Sequence, residues 1–142
     1  MERIKTDLIY ADLTFQIRRA LFNVYNGLGF GHKEQVYQKA LAKEFMELNI
    51  LHEREKSLKV QYKKSTIGLY RPDFIIDNKV ILEIKAVEFM PKSFEMQLIH
   101  YLKSTNYKVG ILANFGSSRI YIKRLVWTNN LRKSAHDPRR SF

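Results

Sequence analysis

The chain has no cysteine, only three prolines and one tryptophan, and 14 acidic against 25 basic side chains in 142 residues. Missing cysteines exclude disulfides, thiolate catalysis, zinc ribbons and iron–sulfur clusters together. No pair of the four histidines has ligand spacing, so any metal is left to oxygen donors. No run approaches the length of a membrane span, and the opening MERIKTDLIYADL lacks the apolar stretch of a signal peptide. The expectation is a soluble intracellular protein, cytoplasmic in location.

What is present is enough apolar material for a real core, 45% hydrophobic and 13% aromatic, at a length that suits one domain. The net charge of +11 points to polyanionic partners. It is unevenly spread. Residues 1–50 carry seven basic and six acidic side chains, residues 51–90 eight and six, and residues 91–142 ten and two. The excess therefore lies in the last third, where Arg119, Lys123, Arg124, Arg132, Lys133, Arg139 and Arg140 are the candidate nucleic-acid contacts.

Leu13, Ile17, Ala20, Leu21 and Val24 recur at helical spacing and predict a helix over 7–25, broken by the turn 26–31. Gly27, Gly29 and Gly31 there make a helix-to-helix turn, because no strand precedes them as a phosphate loop requires. A second helix is expected over 32–48, with Glu34 on the same stripe as Tyr37, Leu41, Phe45 and Leu48. From Leu51 the period becomes two. Strands are expected at 58–63, 66–76 and 80–87, the second interrupted by Pro72 and the third nearly continuous in apolar residues and hence central. A Ser93 N-cap opens a third helix to about 104, followed by strands at 108–114 and 119–127. This order implies an α/β (α+β mixed) domain over 1–127, a mixed sheet with a central antiparallel meander flanked by helices. Residues 128–142 read as a basic, flexible tail.

Within the third strand, Glu83 and Lys85 point to one poorly solvated face, where an unpaired charge is costly. They can pair with each other. If the preceding loop has three residues, 77–79, Asp73 also falls opposite Glu83; a two-residue loop puts the two on opposite faces. In the first register two carboxylates stand roughly 5 Å apart, a repulsion that a hard divalent cation relieves. Mg²⁺ suits such a site, since it needs few protein carboxylates and accepts phosphate oxygens. Arg71, in phase with Asp73, is a candidate salt-bridge partner.

The string R-P-D-F-I-I followed by E-I-K resembles the PD-(D/E)XK nuclease signature, with Pro72-Asp73 and Glu83-Ile84-Lys85 as its halves. G-H-K-E-Q-V-Y at 31–37 resembles the motif that names the GxxExxY family of that superfamily. The likeness continues through Q-L-I-H-Y-L-K to N-F-G at 114–116, over roughly residues 8–127. It implies a restriction-endonuclease-like three-layer core and a nuclease using Mg²⁺ or Mn²⁺ on DNA. Asp73, Glu83 and the Ile84 carbonyl become metal ligands, Glu34 a supplementary carboxylate, and Lys85 the catalytic lysine. Gln97 and Tyr101 resemble the Q-x-x-x-Y element of RecB-like exonucleases. The plainer readings are a dipole-favoured acid for Glu34, a backbone hydrogen bond for Gln97 and a core position for Tyr101. Family members often carry histidine where this chain has Tyr25 and Phe94. The alternative functions are a noncatalytic nucleic-acid binder on the same scaffold, and a module whose basic surface binds an acidic protein.

Overall fold

The computed structural model describes residues 9–128. Helices α1 (Ala11–Leu28) and α2 (Glu34–Glu47) are joined by the glycine turn, and strands β1 (His52–Arg54), β2 (Leu58–Tyr62), β3 (Ser65–Tyr70), β4 (Phe74–Ile76) and β5 (Val80–Lys85) follow. Helix α3 (Lys92–Thr105) then crosses to β6 (Val109–Asn114), and β7 (Tyr121–Val126) ends the sheet. Gly29 and Gly31 sit at φ 69° and 107°, the left-handed region that glycine enters without a Cβ clash, which is why the chain reverses there.

The main sheet has the order β1-β4-β5-β6-β7, antiparallel except for the β5–β6 pair that α3 connects. The expected antiparallel meander is present with a different first strand. Residues 58–70 leave the sheet as the separate hairpin β2–β3, and His52–Arg54 takes the edge beside β4. The expected strand over 66–76 is thus two strands in two sheets. Pro72 has no N–H for a ladder, and the pleat breaks at residues 71–73. Ile67 and Leu69, placed by alternation on the same face as Ile75, are about two-thirds exposed, whereas Ile75 is buried. Ser93 is also corrected: it lies inside the first turn of α3, whose N-cap is Pro91 with no side-chain capping bond.

The packing makes three layers. Ile17, Ala20, Leu21 and Val24 of α1 and Tyr37, Leu41 and Phe45 of α2 bury their stripes against Phe74, Ile76, Val80, Leu82, Ile84 and the alternate residues of β6. On the other face Leu98 and Leu102 of α3 cover Ile81 and Leu112, together with Tyr70 at the end of the hairpin. Strand β5 is covered on both sides, so its only polar positions, Glu83 and Lys85, emerge on the α3 side at the C-terminal end of the strand. Among the described residues, no helix is long and apolar enough to cross a membrane.

Candidate active site

The loop between β4 and β5 has three residues, and Ile76 faces Val80, Ile75 faces Ile81 and Phe74 faces Leu82. One step further, Asp73 reaches Glu83. The pairing there is made by side chains, because the backbone ladder stops at the proline. The Asp73 N–H donates to Glu83 Oε1 at 3.0 Å, and the Ile84 N–H donates to Asp73 Oδ2 at 2.7 Å. Each carboxylate thus replaces a missing ladder acceptor for the other strand. The N–H and C=O of one strand residue lie on the same edge, so the Ile84 carbonyl is directed toward Asp73 too.

Helix α2 reaches this point from the other layer. Glu34, in its first turn, and Gln38, one turn later, share a face. The Gln38 amide donates to Asp73 Oδ1 at 3.0 Å and, over a longer 3.4 Å, to Glu34 Oε1. Sequence reasoning overlooked Gln38. Its i+4 spacing from Glu34 was the available signal. Glu34 thus lies near Asp73, the two carboxylates linked through the Gln38 amide.

The cluster is electrostatically unfavourable as it stands. Burial, then the charge of Asp73, pushes the Glu83 carboxyl up from 4.5 to about 7. Burial raises Asp73 as well, opposed by the Ile84 N–H, by Lys85 and by Gln38, and burial with the Asp73 charge raises Glu34. Lys85 lowers all three. It does not pair with Glu83: no carboxylate lies within ion-pair distance of it among the described residues, and its ammonium sits 4.5 Å above the centre of the Phe94 ring. Arg71 is exposed and makes no ion pair with Asp73 either.

Tyr70, 6% exposed, closes the floor beside Glu83. Its hydroxyl and the carboxylate perturb one another's ionisation, burial raising the phenol furthest, yet the hydroxyl has no hydrogen bond of ordinary geometry. Its ring stacks on Tyr101, centres 3.6 Å apart at 4°. A small crevice runs over Glu83 and Lys85, lined by Tyr70, Phe94, Gln97 and Tyr101. Gln97 is exposed on its rim, and Tyr101 is half-buried, serving as a stacking wall as well as packing against the α3 layer.

Asn114 and Gly116 hold the end of β5. The buried Asn114 side chain accepts from the Val87 N–H at 3.0 Å and the Gly116 N–H at 3.1 Å, and donates to the Val87 carbonyl at 2.9 Å. A Cβ on Gly116 would lie 2.3 Å from Val87 backbone atoms. Tyr37 pins the glycine turn, donating to the Gly29 carbonyl at 2.6 Å while stacking on Phe115 at 4.5 Å. The Tyr25 hydroxyl donates to the Ser117 carbonyl at 2.7 Å. Of the basic candidates, Arg119 and Lys123 are exposed, while the half-buried Arg124 donates to the Ile9 carbonyl at 2.8 Å. Arg132, Lys133, Arg139 and Arg140, and the basic segment 128–142 apart from its first residue, lie outside the described residues.

Among the described residues no three of His, Asp and Glu converge tightly enough to form a ready metal cage. The donor set nevertheless fits a hard divalent ion that keeps several of its own waters: two half-buried carboxylates in mutual repulsion and a third close by. A family model described as the PD-(D/E)XK nuclease superfamily matches residues 11–125. No curated protein and no solved structure matches the chain.

Proposed function

Because the chain belongs to the PD-(D/E)XK nuclease superfamily, we propose that the Asp73–Glu83–Lys85 cluster hydrolyses phosphodiester bonds of DNA with Mg²⁺ or Mn²⁺. The carrying observation is the reciprocal carboxylate–amide arrangement, which fixes two acids side by side at the end of a central strand. Asp73, Glu83 and the Ile84 carbonyl would hold the ion, with Glu34 supplementing them through the shared Gln38 amide. When bound, such an ion supplies positive charge at the scissile phosphate and lowers the pKa of an attacking water.

The chain's own groups do the rest. Lys85 Nζ, held over Phe94 and outside any ion pair among the described residues, donates hydrogen bonds to a phosphate oxygen where negative charge grows. Gln97 on the crevice rim orients the substrate strand, and the Tyr70–Tyr101 stack keeps the wall rigid behind Glu83. Phe94 stands where a histidine is frequent in the resemblance, so this chain offers no imidazole at that position.

Incubation of the purified protein with linear single- and double-stranded DNA tests this. Cleavage is expected in Mg²⁺ or Mn²⁺, absent in EDTA, and at least roughly 100-fold slower in Glu83→Gln and Lys85→Ala. Cleavage undiminished in both variants refutes the assignment. Salt-sensitive binding with no cleavage favours the noncatalytic reading instead.

A further inference from the structure

The outward face of α1 carries a feature that hydrolysis at Lys85 does not use. Arg18, Phe22, Tyr25 and Asn26 follow one another at four, three and one residues and share that face. Phe22 is 40% exposed, with the Arg18 guanidinium 5.7 Å from its ring centre. Against it the turn after β6 brings Ser118 and Arg119, and between them opens a shallow groove of about 310 Å³. The Tyr25–Ser117 hydrogen bond ties helix and turn into one wall.

The groove's chemistry selects its occupant. Half of its six lining residues, Phe22, Tyr25 and Ile120, are aromatic or apolar, and the others bring one amide at Asn26, one hydroxyl at Ser118 and one guanidinium at Arg119, with no acid. An aromatic platform flanked by arginines suits a polyanion that offers a free π-face. Duplex DNA offers phosphates and base edges, but its base faces are stacked on one another; only an unpaired base presents one. The location agrees. Asn114 is the register partner of Lys85, Gly116 packs on the backbone of Val87, and Arg119 follows three residues later, so the groove lies at the same end of the sheet as the acidic cluster.

We propose that this groove is a base-stacking subsite for single-stranded nucleic acid, in which one base lies on Phe22 while Arg18 and Arg119 contact flanking phosphates. It rests on the nuclease reading and narrows it to unpaired strands or frayed ends. The phosphate contacts align the strand, and Asn26 reaches the edge of the stacked base.

Binding measured in EDTA separates this from catalysis. A labelled single-stranded 20-mer and the same sequence as duplex are titrated by fluorescence anisotropy against wild type, Phe22→Ala, Phe22→Leu, Phe22→Tyr and Arg119→Ala. Single-strand affinity is expected to fall about 5- to 150-fold in Phe22→Ala, the range for loss of one stacked base. Leucine does not restore it and tyrosine does, while duplex affinity stays within about twofold. Arg119→Ala lowers the single-strand salt slope by about 0.7. Equal single-strand affinity in wild type and Phe22→Leu, or equal losses on single strand and duplex, overturns the proposal, as does a stoichiometric protein partner captured through Phe22 with no nucleic-acid affinity. Cleavage that survives with a Phe22-independent affinity sinks the subsite alone. Phe22-dependent binding without any cleavage sinks catalysis alone.

Discussion

Replacing Glu83 by glutamine should stabilise the metal-free protein, and by an amount that depends on pH. Burial and Asp73 raise the Glu83 carboxyl from 4.5 in a solvated chain to about 7. Below pH 4.5 both folded and unfolded states hold the proton, and the site imposes no penalty. As pH rises the unfolded chain releases the proton first, so folding loses stability until about pH 7, after which the penalty is constant. The full shift corresponds to roughly 3 kcal/mol. Glutamine keeps an oxygen to accept the Asp73 N–H and carries no charge, so the variant escapes the penalty. Glu83→Gln should therefore melt only slightly above wild type at pH 5 and roughly 10 °C above it at pH 8, given a few degrees per kcal/mol at this size. Mg²⁺ should narrow the gap at pH 8 by stabilising wild type, with a much smaller effect on the variant. Thermal unfolding followed by circular dichroism at the two pH values, with and without Mg²⁺, measures all of this. A difference that does not grow between pH 5 and 8, or an equal Mg²⁺ response in both proteins, would refute the reasoning.

Gln38→Ala removes a donor that lowers the Asp73 carboxyl, so Mg²⁺ affinity at neutral pH should drop about 10- to 100-fold, read by isothermal titration, and recover partly at higher pH. Gly116→Ala forces a Cβ into the Val87 backbone and should cost about 3 kcal/mol in urea unfolding, whereas Gly27→Ala, inside α1 with an open Cβ position, should be neutral or stabilise by up to about 1 kcal/mol. Asn114→Ala leaves the Val87 N–H and carbonyl without their partner and should cost about 2–3 kcal/mol, with cleavage falling as well because the end of β5 loosens. In that variant a melting point unchanged from wild type would show that the clamp is dispensable.

Much of the architecture was readable from periodicity. The stripes of α1 and α2 are long and regular, and their central residues, Ile17, Ala20, Leu21 and Val24 with Tyr37, Leu41 and Phe45, are buried, while Leu13, Ala40 and Leu48 are partly buried and Val36, expected on the α2 stripe, is exposed. The apolar run of β5 announced a central strand, and its two charged positions announced the site. Local pattern failed at residues 66–76, where alternation continues through Pro72 although the chain changes sheet there. Period-two spacing reports which side chains share a face, and nothing in it tells which sheet the face belongs to. His52–Arg54 was overlooked because a three-residue edge strand contains too few positions to show a period.

The candidate site divides along the same line. Asp73, Glu83 and Lys85 were legible because charge in a buried strand needs compensation, and the resemblance attached roles to them. The partners that tune them come from other elements: Gln38 from α2, Tyr70 from the end of the hairpin, Phe94 from α3. The sequence by itself determined the helices, most of the strands, the acidic residues and the basic excess, since these depend on residue type and spacing within one segment. Only the tertiary structure decided that a broken ladder sets the Asp73 and Glu83 carboxylates on each other's backbone amides. It also decided that Lys85 stands over an aromatic ring with no ion pair among the described residues, and that Phe22 and Arg119, 97 positions apart in the chain, share a groove. Such contacts join segments distant in sequence, and their geometry is set by how the layers pack.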